Sequence, residues 1–197
     1  MIRQPILTLN RLSNRTQKLY IRPVIKAKNM TIGVAAIADR KYILTASDKA
    51  LSAAIVSDDC IYKVVEFHHE WSAIFSGSDI SDVVPVIEIA REKFGQLDNT
   101  HKNASDVLCS AYSEQLSRKI ERLVLGRYQI SLEDFLKNGR KYFRPVDHSM
   151  VVQEIKNVTL GCSFLVSGFD GAGQPHVFTV VEPGISRVQE TGSNHHR

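Results

Sequence analysis

Several things are scarce or missing in this sequence, and each absence removes a class of protein. The 197 residues include only three cysteines, Cys60, Cys109 and Cys162, widely spaced and with no Cys-x-x-Cys pair. That pattern indicates neither a disulfide framework nor a zinc site, no metal or cofactor is called for, and a reducing, cytoplasmic setting fits. No apolar run approaches the roughly 18 residues needed to span a bilayer, and the N-terminus lacks a continuous apolar signal core, so no membrane partner is expected. Internal repeats and low-complexity tracts are also missing. Residues 1–29 hold no acidic side chain but seven basic ones: Arg3, Arg11, Arg15, Lys18, Arg22, Lys26 and Lys28. The formal net charge of +4 comes from 25 basic and 21 acidic residues. Without those seven, the remainder holds 18 basic against 21 acidic residues, a net of −3, which argues against a nucleic-acid-binding body.

The chain therefore divides into a basic N-terminal extension, 1–29, and a body, 30–197. The extension reads as a pro-segment, a transit-like segment or sequence upstream of a start at Met30, with a retained basic arm for an anionic partner as the alternative. With 43% apolar residues, the chain is long enough to bury one substantial core. Thr31 to Ala38 is small and β-branched, Asp39-Arg40-Lys41 breaks it, and Tyr42 to Ala46 resumes an apolar run, which predicts a hairpin. Ile61–Phe67 and Trp71–Phe75 predict a second pair around a His68-His69-Glu70 turn. Val83, Val86, Ile87, Ala90 and Phe94 mark one helix face. A second helix is expected from Ser105 or Asp106, with Leu108, Ala111, Tyr112, Leu116, Ile120 and Leu123 on its face and Gly126 as its stop. Residues 126–161 predict short helices: one begins at Ser131–Asp134 and stops at Gly139, Pro145 breaks the chain, and Met150–Ile155 forms another. Ser163–Ser167 and His176–Val181 predict a final hairpin closed by Glu182-Pro183-Gly184. Strands, a helix pair, then strands indicate an α+β layered domain.

Most chemistry-bearing patterns have ordinary explanations. Gly171 and Gly173 precede another strand, so no helix N-terminus follows to hold a phosphate. His68-His69 and His195-His196 are adjacent pairs, which alternate sides on extended chain and cannot chelate as units. Thr31 is different. A threonine hydroxyl becomes an effective nucleophile when it is the first residue, because its own α-amine, with a pKa near 8, serves as general base. Such a site needs a cut before Thr31, a carboxylate near the new terminus and a lysine.

The run Thr31-Ile-Gly-Val-Ala-Ala-Ile leading into Ile43-Leu-Thr-Ala-Ser-Asp48-Lys49-Ala50 resembles the opening strands of proteasome β-type subunits, which are N-terminal-nucleophile hydrolases. Phe164 to Gly184 is similar to that family's second hairpin. Cys60-Ile-Tyr-Lys63-Val resembles its third strand, and Ser76-Gly77-Ser78 with Asp82 the turn before its first helix. The resemblance implies an αββα sandwich, here with the second helix layer largely absent after Gly192-Ser193. It implies assembly into homo- or hetero-oligomeric rings and threonine-type endopeptidase activity on unfolded protein or peptide substrates. Thr31 would be the nucleophile, Asp48 the carboxylate near its amine, and the backbone near Gly77 the oxyanion donor. The family lysine position is occupied by Cys60, and Lys63, three residues on, is expected on the opposite strand face. That substitution implies, as the alternative, a catalytically inactive ring or scaffold subunit.

Overall fold

The computed structural model describes residues 32–48, 51–52, 57–58, 63–77 and 80–188. Thr31, Cys60, residues 1–29 and the His195-His196 pair lie outside them. The chain is a mixed α+β protein with antiparallel sheets. β1 (Gly33–Ala38) and β2 (Tyr42–Ser47) form the first hairpin, with Gly33 opposite Ser47 and Ala38 opposite Tyr42. Asp39 and Arg40 both take positive φ, 52° and 56°, and Lys41 N–H bonds Ala38 C=O at 3.0 Å. Those angles give the turn the backbone twist that matches its flanking strands. A short ladder joins β3 (Leu51–Ser52) to β4 (Ser57–Asp58).

The main sheet has five strands in sequence order: β5 (Val64–His68), β6 (Trp71–Gly77), β7 (Cys162–Phe169), β8 (Pro175–Val181) and β9 (Ile185–Val188). Side chains alternate across it, so its two faces have different neighbours. Phe75, Phe164, Val166, Phe178 and Val180 face α1 (Ile80–Phe94) and α2 (His101–Ile120) and form the main core with them. Ile74, Leu165 and Thr179 occupy the other face, aligned across β6, β7 and β8. The β1–β2 hairpin lies on that side. Gly33 approaches so closely that a Cβ there would sit 3.0 Å from Ile74 Cγ2, which is why a small residue stands at the head of β1. The order of layers is helix pair, five-stranded sheet, two-stranded sheet. Tyr42 and Leu44 remain 63% and 59% exposed on β2, so the hairpin's far face stays apolar and open.

The five residues predicted for the α1 face are all buried. α2 begins earlier than expected because Thr100, in extended conformation, caps it by accepting Asn103 N–H at 3.1 Å. Its far end also departs from expectation. Glu121–Leu125 is a π-helical turn, followed by a 3₁₀ turn over Gly126–Tyr128, so Gly126 is not a stop. The extra residue per turn rotates the face: Leu123 is left 58% exposed, and Val124 and Leu125 are buried instead. They join Phe135 of α3 (Leu132–Tyr142) and Val151 of α4 (Pro145–Asn157) in a second, smaller core. Ser131 caps α3 as expected, through Asp134 N–H at 3.1 Å. Gly139 lies inside α3 and does not end it, because it packs under Phe135, where a Cβ would come within 2.9 Å of the ring. Pro145 starts α4 at the position where its missing N–H costs no hydrogen bond.

Candidate functional site

The two sheets meet in a buried ion pair. Lys63 precedes β5, is 2% exposed, and places Nζ 2.8 Å from Asp48 Oδ1, the residue that follows β2. Two backbone hydrogen bonds fix this meeting point. Asp48 N–H donates to Ile32 C=O at 3.0 Å, tying the end of β2 to the start of β1, and Phe75 N–H donates to Lys63 C=O at 3.0 Å, tying Lys63 to β6. A nearly inaccessible ammonium is tolerable only with an anionic partner, and Asp48, 26% exposed, supplies it.

Lys63 therefore does not point away from the site residues, as counting from Cys60 predicted. The regular strand begins only at Val64, so alternation carried across 60–63 has no basis in the described structure. The informative phase was the other one. Lys63, Val65 and Phe67 are in register with one another, and Val65 and Phe67 pack in the core. A lysine in phase with buried strand positions is a buried lysine, and it needs a carboxylate.

Gly77 ends β6 opposite Cys162. A Cβ at Gly77 would lie 2.9 Å from Cys162 Cβ and 3.0 Å from Gly161 O, so packing alone requires glycine there. Beside it, Ser76 is 4% exposed, and its hydroxyl has no hydrogen-bond partner. A cavity of about 260 Å³ opens between the edge strand β5 and α1, lined by Val65, Phe75, Ile80, Val83, Val84 and Ile87 among others. Phe75 belongs both to this cavity and to the backbone link with Lys63.

Two other polar clusters are present. Asp82, in the first turn of α1, is 4% exposed and accepts from Lys119 Nζ at 2.5 Å. At the far end of the main sheet, His176 Nε2 lies 2.9 Å from Asp170 Oδ2 and its ring stacks on His101, with centroids 4.6 Å apart. Trp71 flanks both rings and donates its indole N–H to Asn99 Oδ1 at 2.6 Å.

Cysteine chemistry is disfavoured at the two described thiols. Burial, then Asp82 and Glu182, pushes Cys162 up to about 12, and burial with Asp106 raises Cys109. Among the described residues there is no group of three or more metal-ligating side chains, and no helix is long and apolar enough to cross a membrane. His68 and His69 flank the β5–β6 turn with ring centroids 3.9 Å apart. No protein-family model matches this chain, and no curated protein is significantly similar to it.

Proposed function

We propose that the chain is an N-terminal-nucleophile hydrolase of the proteasome-like kind, a threonine-type endopeptidase acting from Thr31. The observation that carries this reading is the buried Asp48–Lys63 pair, anchored by Asp48 N–H to the carbonyl of Ile32, the residue directly after Thr31. It supplies both charged groups that an N-terminal threonine requires, tied to the backbone of the residue that follows Thr31. Cys60 was the reason to expect an inactive scaffold, and with Lys63 on Asp48 that objection loses its force.

In this reading a cut before Thr31 frees its α-amine. The amine takes the hydroxyl proton while Oγ attacks the scissile carbonyl; the peptide C–N bond then breaks as the α-amine passes that proton to the departing nitrogen, and water hydrolyses the acyl-enzyme to the acid and free Thr31. Asp48 orients the amine, and the Lys63 ammonium stabilises negative charge on Oγ in a site where little solvent screens it. The oxyanion forms near Gly77, just before the N-terminus of α1, where the helix dipole favours negative charge. The cavity between β5 and α1 takes an apolar side chain of the substrate. The open apolar face of β2 suits burial against neighbouring subunits in a ring.

Intact-mass measurement on the purified, active protein tests this. A chain beginning at Thr31 is the expected result. Peptide hydrolysis by protein that retains residues 1–30 would overturn it, because an acylated nitrogen cannot act as the free amine base. Hydrolysis that survives Thr31→Ala would overturn it equally.

A further inference from the structure

We propose that His101 is the acid-sensitive element of a clasp that holds the connection between α1 and α2 against the far end of the main sheet, so that a proton taken up there releases the connection while the sheet stays folded. This inference is independent of the peptidase reading, because the clasp lies at the Trp71 end of β6 and the candidate site at its Gly77 end.

Asn99 fastens the connection. Its side-chain oxygen accepts the Trp71 indole N–H at 2.6 Å, its side-chain amide donates to Phe169 C=O at 3.1 Å, and its backbone C=O accepts Gly171 N–H at 2.7 Å. One residue is thereby bonded to β6, to β7 and to the β7–β8 turn. Two residues on, the His101 ring completes the contact. It stacks on His176 with planes 16° apart and centroids at 4.6 Å, meets Phe178 edge-on at 5.3 Å, and lies 6.4 Å from Trp71. Its Nε2 is buried without a hydrogen-bond partner.

A neutral imidazole suits this stack and a charged one does not. His101 opens α2, whose first turn holds no acidic side chain, so an added proton would stand at the positive end of the helix dipole with Lys102 beside it. The titratable groups that act on it are His176 of β8, Asp170 of the β7–β8 turn and Asp106 further along α2, while Trp71 of β6 and Phe178 of β8 bring no charge. Asp170 is already engaged: Oδ1 accepts from the N–H groups of Ala172 and Gln174, and Oδ2 lies 2.9 Å from His176 Nε2. Neither of its oxygens is left to receive a proton from His101. Burial, and then His176, accordingly hold His101 below its ordinary value of 6.5, against the pull of Asp170 and Asp106. In the open clasp the ring meets water and regains that ordinary value. Below about pH 6.5 the open form therefore takes the proton first, and each further pH unit favours opening by up to about tenfold until the folded value is reached.

Hydrogen exchange on the full chain, read by mass spectrometry at pH 7.5, 6.5 and 5.5 with each rate divided by the intrinsic rate at that pH, tests this. Peptides covering 95–104 and 170–174 are expected to lose protection by up to about tenfold between pH 7.5 and 5.5, the ceiling for one proton over that range. Peptides from β6 and β7 are expected to lose much less. His101→Gln, uncharged at every pH, should hold protection constant across the series, and His176→Gln should leave the pH dependence in place. Protection at 95–104 that is constant with pH in wild type would overturn the proposal. So would a loss shared equally by β6 and β7, since that is unfolding of the whole domain, or a loss that survives His101→Gln and disappears in His176→Gln. If His101→Gln is already open at pH 7.5, the wild-type and His176→Gln series decide by the same outcomes.

Discussion

Among the described residues two lysine–aspartate pairs are part-buried, and their exposures are reversed. In the Asp48–Lys63 pair the cation is inaccessible, at 2%, and the carboxylate reaches solvent, at 26%. In the Asp82–Lys119 pair the carboxylate is inaccessible, at 4%, and the lysine reaches solvent, at 19%. The second pair is explained by the helices that hold it. Asp82 lies in the first turn of α1, where its charge complements the helix dipole, and Lys119 reaches it from α2, so the pair ties the two helices together. No helix end accounts for the first pair. Lys63 and Asp48 flank strand ends, where an apolar pair would join the sheets with no desolvation cost. One pair is what the fold needs, and the other is the pair on which the peptidase proposal rests.

The largest effect expected from this contrast is on rate. Lys63→Met removes the buried cation while keeping its length and apolar stem. Peptide hydrolysis should fall on the order of 10⁴-fold, as for one member of a concerted site, while the thermal melt moves little. Asp48→Asn should cost less rate, because the amide still accepts from the lysine but no longer balances its charge. If Lys63→Met unfolds the protein and Lys119→Met abolishes hydrolysis in a folded one, the assignment of the two pairs is reversed.

The next effect is on stability. Asp82→Asn leaves Lys119 without its counter-ion and should cost about 3 kcal/mol, a fall in Tm of roughly 6–12 °C, with kcat of the folded protein preserved. The double variant Asp82→Leu, Lys119→Met should recover most of that loss, since a well-packed apolar pair can replace a buried ion pair. Scanning calorimetry and peptide hydrolysis on the same preparations separate the two outcomes.

Which parts of this arrangement were legible follows from how local each signal is. The α1 face was readable because Val83, Val86, Ile87, Ala90 and Phe94 obey a single period, and all five are buried. The β7–β8 hairpin was readable from its turn chemistry, and Asp170 does organise that turn, accepting from the N–H groups of Ala172 and Gln174. The rotation at Glu121–Leu125 was not, because a π turn leaves no mark in a pattern read at 3.6 residues per turn, and it exchanged Leu123 for Val124 and Leu125. β9 was missed because Ile185–Val188 is short and alternates only weakly. Around the candidate site, the resemblance singled out Asp48, whereas counting alternation from Cys60 placed Lys63 away from it, and the structure pairs the two. The Asp82–Lys119 pair joins residues 37 apart and leaves no local signature.

The smallest expected effect concerns a third charged contact, between His176 and Asp170, which resembles neither lysine pair because its cation is conditional. His101 stacks on His176 with one ring nitrogen, Nε2, buried and unpartnered. Burial first, and then the neighbouring His176, holds His101 below its ordinary value of 6.5, against the opposing pull of Asp170 and Asp106. A histidine depressed in the folded state contributes its full stability above about pH 6.5, and loses it as the pH falls from there through the lower folded value, because the unfolded chain takes up the proton first. Asp170 does not offset this. Against the upward push of burial, hydrogen bonds from Gln174 N–H, His176 and Ala172 N–H hold its carboxyl below 3.8, so its own loss begins only in stronger acid. Melting curves from pH 7.5 down to 5 should therefore show a decline that His101→Gln flattens and that Lys63→Met and Asp82→Asn leave in place. A decline of equal slope in His101→Gln would move the acid sensitivity to other groups, with His68, also lowered by burial and by His69, as the next to test.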